Sequence, residues 1–446
     1  MVGYALPLTC ELRFATSQSG GPSGAVVAPF APPQSHEPAA PEQSRGAGRL
    51  NVHANWRSVY ALEVERIFNG RTCNFAALEA EVPNAGDYKR SYVGPTPVVV
   101  SRAQDGSIHV FENRCAHRGA EFCRHSRGNN KEFVCPYHQW SYDLKGNLQG
   151  IPFKRGVNKL GGMPKDFRNE QHGLRKLAVA TRNGVVFASL AHDMEPLEDY
   201  LTPEILADFD AVFSGRKLRI LGFYKNELPC NWKMYHENLK DPYHATLLHS
   251  FLVVFGLLVA GNRSAMIADS KYGIHGTMAS AKSDTLYAQV DEEKKKEMRS
   301  FHDGMRLRDE RLLDFVKEFD SEWSVTMQTI WPNLVVQREM NTLGVRHIVP
   351  NGPNSMIMLW TMFGYEDDSE DMVRHRLRQG NLMGPSGFLG LEDNEAMKFV
   401  QEGVRRSITD RSVIKLDGDK IGTADNLISE AAIRAMYKHY REVMGF

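Results

Sequence analysis

Two cysteine–histidine pairs constrain this chain more than any other feature. Within "NRCAHRGAEFCRHSRGNNKEFVCPYHQW" (Asn113–Trp140), Cys115 and His117 stand as C-x-H, and Cys135 and His138 as C-x-x-H. Six cysteines among 446 residues are too few for a disulfide scaffold, so thiolates that hold a metal in a reducing compartment are the better reading. Residues 118–134 separate the pairs; if each pair sits at a hairpin tip, the two converge on one point. Thiolate and imidazole suit an iron–sulfur cluster or a zinc ion. C-x-x-H alone favours zinc. The like alternation of Cys and His in both pairs favours two irons, one held by the cysteines and the other by the histidines. Cys123 and His125, in the intervening loop, break the paired spacing and read as bystanders.

The surrounding texture supplies the hairpins. "TPVVVSR", Asp105-Gly106 and "SIHVFEN" predict one; "HQWSYDL", Lys145-Gly146 and "NLQGIP" a second; "LAVATR", Asn183-Gly184 and "VVFASL" a third. A small antiparallel β-domain over 71–190 follows. Ahead of it, Asn55–Gly70 has helical spacing and ends on glycine. Residues 1–50 are rich in Pro, Gly, Ser and Ala, too poor in bulky side chains to offset their ordering entropy, so a disordered tail is expected. The second unit, 51–70 with 191–446, mixes both element types. "SVTMQTIWPNLVVQREM", "TLGVRHIVP" and "SMIMLWTMFGYE" predict strands of one antiparallel sheet. "NWKMYHENLKDPYHATLLHSFL", "NEAMKFVQEGVRR" and "ISEAAIRAMYKHYREVM" predict helices. The fold class is α+β.

Charge and hydropathy exclude other classes. With 54 basic and 54 acidic residues, no bulk field draws the chain to nucleic acid or anionic lipid. The longest apolar run, Phe251–Gly261, is too short to span a bilayer, and "MVGYALPLTCELRF" has no basic leader or cleavage site. No membrane is expected, and a cytoplasmic location is.

A second candidate metal site lies in "ENLKDPYHATLLH", where His244 and His249 follow Glu237 and Asp241. On an ideal helix, residues five apart lie about 140° apart around the axis, so sharing an ion requires a local distortion. Any single histidine is more often a hydrogen-bonded core residue. Acids clustered with two histidines in an otherwise apolar stretch, however, are costly unless a cation neutralises them. Two histidines and one carboxylate form the facial triad of non-heme iron. Glu392 and Asp393, at the start of a predicted helix, can supply the carboxylate, or can simply complement that helix's N-terminal dipole.

The flanks "CAHRG" and "CPYHQWSYDL" resemble the Rieske signature. "NWK", "EN", Asp241, "YH" and His249, followed late in the chain by an acidic pair, resemble the large subunit of Rieske aromatic-ring-hydroxylating oxygenases over about residues 52–446. The resemblance implies a Rieske domain beside a catalytic domain of helix-grip type. It implies Cys115, His117, Cys135 and His138 as ligands of a [2Fe–2S] cluster, and His244, His249 and Asp393 as ligands of catalytic Fe(II), with Asp393 fitting better than Glu392. It implies a trimer, α3 or α3β3 with a small β-subunit, in which Asp241 links His138 of one chain to His244 of the next. Electrons would come from an NADH-dependent reductase, with or without a ferredoxin, since no G-x-G-x-x-G follows a strand here.

Within that family, "NRCAHRGAEFC", "GGMPKDF" and "IRAMYKHYREVMG" resemble salicylate hydroxylases and terephthalate dioxygenases. This implies dioxygen and an aromatic carboxylate as substrates, giving a hydroxylated ring or, from another aromatic acid such as anthranilate, a halobenzoate or terephthalate, a cis-dihydrodiol. A carboxylate in a desolvated pocket needs a cationic partner; Arg346, on a predicted strand, is the candidate, with a structural ion pair the alternative. Where terephthalate enzymes align a second arginine, this chain has Leu427, which favours a monocarboxylate such as salicylate. The rival classes are a zinc-stabilised binding module and a simple electron carrier.

Overall fold

A computed structural model describes residues 56–255, 257, 263–281, 307–408 and 412–446; the tail expected over 1–50 lies outside them. Among the described residues no helix is long and apolar enough to cross a membrane.

The three predicted hairpins are present. Thr96–Arg102 pairs antiparallel with Ile108–Glu112 and, on its other edge, with Asp87–Val93. Ser141–Tyr142 pairs with Phe133–Val134 and Leu148–Gly150 in a separate three-stranded sheet. Phe111, Phe122, Phe133 and Tyr142 pack between these sheets and bury Cys115 and Cys135. The third hairpin, Ala178–Arg182 with Val185–Ser189, joins neither. It pairs with Asn74–Leu78, and this sheet turns Phe75 and Phe187 toward the larger part of the chain.

That larger part is built on a seven-stranded antiparallel sheet. Its strands run in the order Leu218–Leu228, Met356–Tyr365, Thr342–Pro350, Leu334–Glu339, Val325–Ile330, Gly276–Ser280, Ser264–Ala268. All nine residues of Thr342–Pro350 are buried, because both faces are covered. On one face Leu334, Val336, Leu343, Val345 and Phe363 meet the helix Pro203–Phe213 and the Phe75–Phe187 sheet. On the other, Met327, Val335, Ile348, Met358 and Trp360 meet Trp232, Tyr235 and the C-terminal helix Ala431–Met444. Asn333, in the turn between two central strands, donates to Phe75 O at 3.2 Å and accepts from Phe75 N at 2.8 Å. The described residues thus form one compact unit, in which the Asn74–Leu78 sheet packs against the large sheet on one side and against the Asp87–Val93 and Thr96–Arg102 strands on the other.

The stretch Trp232–Leu252 is not one helix. An α-helix, Trp232–Leu239, is capped by the Asn231 side chain accepting from Lys233 N at 3.0 Å. It stops ahead of Pro242, whose ring and missing N–H cannot continue an α-helix. A single 3₁₀ turn, Pro242–Thr246, follows, with Asp241 Oδ1 accepting from Tyr243 N at 3.0 Å. His249 then immediately precedes a short helix, Ser250–Val254, without capping it through its side chain.

Candidate active site

The break in the helix is what brings the histidines together. Instead of diverging, His244 and His249 place their rings 5.2 Å apart, and one donor atom from each of His244, His249 and Asp393 lies within 4.8 Å of the others. Both Nε2 atoms face Asp393 Oδ1, at 3.4 Å from His244 and 3.1 Å from His249. Asp393 lies within the helix Phe388–Arg406 rather than at its start, so complementing the dipole is not its role. It is 1% exposed. Glu392, its neighbour around the helix, accepts from His249 Nδ1 at 2.8 Å, and so orients an imidazole whose other nitrogen faces the centre.

Two further neighbours complete the surroundings. Asp241 Oδ2 lies 3.3 Å from His244 Nδ1, close but out of line for a hydrogen bond, so that nitrogen has no aligned partner. Asn238 Nδ2 donates to Asp393 Oδ1 at 3.1 Å and lies 3.4 Å from His244 Nε2. Glu237, expected with the acids of the site, instead accepts from Tyr437 of the C-terminal helix. It serves packing.

The electrostatics fit a dication. Burial opposes charge on either imidazole, yet contacts with Asp241 and Asp393 push His244 up to about 10, and contacts with Asp393 and Glu392 push His249 up to about 8. Burial also opposes the Asp393 carboxylate, but the two imidazoles outweigh it and hold its pKa below the usual range. Protons thus occupy the positions where a metal ion would balance the same carboxylate. An incoming ion must displace them, so iron uptake by the metal-free chain is expected to release protons and to strengthen as pH rises from about 6.5 to 8.5. Fe(II) titrations in weakly buffered indicator solution measure both quantities; an affinity flat across that range contradicts the arrangement.

These donors open onto an apolar pocket. Leu252, Met278, Met327, Met340, Met383 and Leu389 line it, together with Leu427 and the buried carboxyl of Glu339, which burial raises to about 7. Sheet register puts Met327, Glu339 and Arg346 on the same face. Arg346 is fully buried but does not line the pocket. Its Nη1 donates to Tyr235 Oη at 2.6 Å, Nη2 approaches Met327 Sδ at 3.8 Å, and the guanidinium sits 4.0 Å over the Trp360 ring. Its Nε has no partner, and among the described residues it joins no ion pair. The ion-pair alternative is therefore not what the structure shows.

The Cys–His loops form the second centre, as a repeated device. The Cys115 amide donates to Ala120 O and the Gly119 amide to Cys115 O, each at 2.9 Å. The Cys135 amide donates to Trp140 O and the Gln139 amide to Cys135 O, again at 2.9 Å. The fourth residue after each cysteine takes a positive φ, +76° at Gly119 and +57° at Gln139. The thiols are buried and the imidazoles half-exposed, with the His117 and His138 rings 4.5 Å apart. Tyr142 Oη lies 3.1 Å from Cys115 Sγ. His117 stacks on Trp140 at 4.8 Å, and its Nδ1 is buried with no hydrogen-bond partner. Two thiols at the base, two imidazoles at the rim and an orphaned ring nitrogen fit a [2Fe–2S] group held through cysteine on one iron and histidine on the other. Cys123 stands apart: its backbone is held by the Asn113 side chain, while His125 is exposed.

Comparison with known proteins agrees with both centres. Residues 73–161 match the Rieske [2Fe-2S] domain, and residues 215–445 match the ring hydroxylating alpha subunit catalytic domain. The chain is 45% identical to the salicylate 5-hydroxylase large oxygenase component of Ralstonia sp, over 93% of this chain and 99% of the relative. It is 44% identical to the anthranilate 1,2-dioxygenase large subunit of Burkholderia cepacia, over 87% and 92%, and 39% identical to a terephthalate 1,2-dioxygenase terminal oxygenase subunit of Comamonas sp, over 86% and 92%. Naphthalene 1,2-dioxygenase from Rhodococcus sp. shares the fold, with a TM-score of 0.68 at 24% identity over 86% of this chain and 91% of that one. The chain therefore belongs to the Rieske ring-hydroxylating oxygenases, whose large subunits join a [2Fe–2S] cluster to a mononuclear non-heme iron.

Proposed function

We propose that this chain is the terminal oxygenase subunit that hydroxylates an aromatic monocarboxylate of the salicylate or anthranilate type. The observation that carries the substrate class is Arg346, a buried guanidinium set behind the Met327 wall of an apolar pocket, which makes no ion pair among the described residues, although its charge is felt by the Glu339 carboxyl. A buried charge left unpaired is unfavourable, and a substrate carboxylate is the anion that would complete it. Leu427 and the methionines present no second cation for a para-carboxylate. Glu339 can exchange a hydrogen bond with a hydroxyl or amine ortho to the carboxylate, as the names of the salicylate and anthranilate relatives suggest.

In this reading Cys115, His117, Cys135 and His138 hold the cluster, and His244, His249 and Asp393 hold Fe(II). The bound metals supply electrons and dioxygen activation. The chain's own residues hold the ring beside the triad, exclude water with the thioether and leucine wall, and orient His249 through Glu392, while Asp241 faces His244 Nδ1. The electron donor is an NADH-dependent reductase, directly or through a ferredoxin. A head-to-tail ring of three copies would seat the half-exposed His138 of one chain beside Asp241 of the next. Exposed Tyr137 flanks the first, and exposed Tyr243 and Leu247 flank the second, the apolar surface such a junction would cover.

Single turnover of anaerobically reduced protein with salicylate, anthranilate, benzoate and terephthalate, followed by product mass spectrometry with labelled dioxygen, tests the reading. Salicylate or anthranilate should acquire label and terephthalate should not. Labelling confined to neutral arenes would remove the carboxylate assignment.

A further inference from the structure

The cluster segment carries a charge that the whole chain hides. Residues 113–176 hold thirteen Lys and Arg against five Asp and Glu, a net charge of +8, in a chain whose net charge is zero. Among the described residues, only Lys145 of those thirteen is in an ion pair, with Asp105. The loop from Ile151 to His172 concentrates the surface features. Phe153 and Leu160 are 75% and 76% exposed, Lys165 and Arg168 stand exposed beside them in sequence, and backbone bonds from Gly156 to Phe153 O and from Met163 to Lys154 O make the loop compact. An apolar centre with a charged rim is the composition of a protein docking surface.

A line of rings connects this surface to the cluster site. His172, which is exposed, stacks on Phe167 at 4.3 Å and 13°; Phe167 meets Trp140 edge-on at 6.3 Å; Trp140 stacks on His117 at 4.8 Å and 4°. Lys154 sits over Phe167 and donates to Asn169 Oδ1 at 2.7 Å, pinning the loop to the stack. The line leaves through His117, whereas the junction with a neighbouring copy uses His138. Two imidazoles therefore serve two directions.

We propose that the basic, apolar-centred face of the Ile151–His172 loop is the docking site of an acidic one-electron carrier protein, and that the rings His172, Phe167 and Trp140 are the entry route to His117. The inference rests on the Rieske reading above. In the step the reduced carrier loses one electron and the oxidised cluster gains it; no bond breaks and no proton moves. Electrostatic steering of this kind speeds association and weakens with salt.

The test uses the intact, cluster-loaded protein with a reduced plant-type [2Fe–2S] ferredoxin as the acidic probe and dithionite as a small reductant. Calorimetry gives the Kd, and stopped-flow absorbance the rate of cluster reduction. Lys165→Glu with Arg168→Glu should weaken ferredoxin binding on the order of 10-fold, leaving the dithionite rate and the assembly size unchanged. His172→Ala should slow reduction at saturating ferredoxin several-fold without moving the Kd. Unchanged binding and rates would overturn the proposal. So would disassembly of the charge-reversed protein, which would assign the face to a second copy of the chain. Absence of a reduced-cluster EPR signal in the unaltered protein would sink the Rieske reading instead, separately from the docking assignment.

Discussion

Asp241→Asn is expected to leave cluster and iron bound while slowing turnover on the order of 100-fold, the upper end for removing an orienting partner of a metal ligand. The carboxylate has two tasks in the chain. Oδ1 caps the 3₁₀ turn through Tyr243 N, and Oδ2 faces His244 Nδ1 at 3.3 Å. Asparagine keeps an oxygen for the cap but removes the charge, so the turn should survive while the proposed link toward a neighbouring cluster should be lost. Metal analysis, together with the rate at which the reduced cluster reoxidises on mixing with substrate and dioxygen, separates the two tasks. Rapid reoxidation in the variant would reduce Asp241 to a turn cap.

Arg346→Met should act in opposite directions on binding and on stability. Removing one partner of a buried charge pair costs about 3 kcal/mol, roughly 100-fold in kcat/KM for an aromatic carboxylate, whereas a neutral analogue should lose little. Without substrate the guanidinium is a desolvated cation with no ion pair among the described residues, so an apolar side chain of similar length should leave Tm unchanged or raise it. Kinetics with paired acid and amide substrates, and thermal melts of the same protein, check both halves. A large fall in Tm with unaltered KM would make Arg346 a scaffold residue, held by Tyr235 and Trp360 for packing alone.

What was legible in the sequence followed from local rules. The Asp105-Gly106, Lys145-Gly146 and Asn183-Gly184 turns marked three hairpins; only Asn183-Gly184 is a two-residue connection, while the other two are longer turns that place a glycine at positive φ. The cysteine–histidine pairs pointed to a shared centre through their spacing, their like alternation and their flanking motifs together. The second site was legible only as a conflict: His244 and His249 could not meet on one helix, and Pro242 was the signal that the α-helix ends before either of them. Asp393 lay 144 positions beyond His249, a partnership that tertiary packing creates and no local pattern encodes. Asn238 sat beside Glu237 and Glu392 beside Asp393, both acids being candidates from the sequence, but which of two adjacent polar side chains turns inward depends on helix phase. Glu237 and Asn238 were divided that way, one toward Tyr437 and the other toward Asp393. The strand Leu218–Leu228 escaped notice because it lies at a sheet edge, where partial exposure blurs the apolar alternation. The pocket-facing role of Glu339 needed the sheet register, since nothing nearby in sequence separates it from Arg338, which instead pairs with Asp208 on the opposite face.

Subunit complementation tests most directly whether cluster and iron act from different chains. One chain carries Cys135→Ser and holds no cluster; the other carries His249→Ala and holds no iron. Each alone should be inactive. Co-expressed and assembled at random into closed rings, they should regain activity at about one quarter of all junctions, those that set an intact cluster site beside an intact iron site. Mixed rings that contain both metals yet remain inert would contradict transfer between chains.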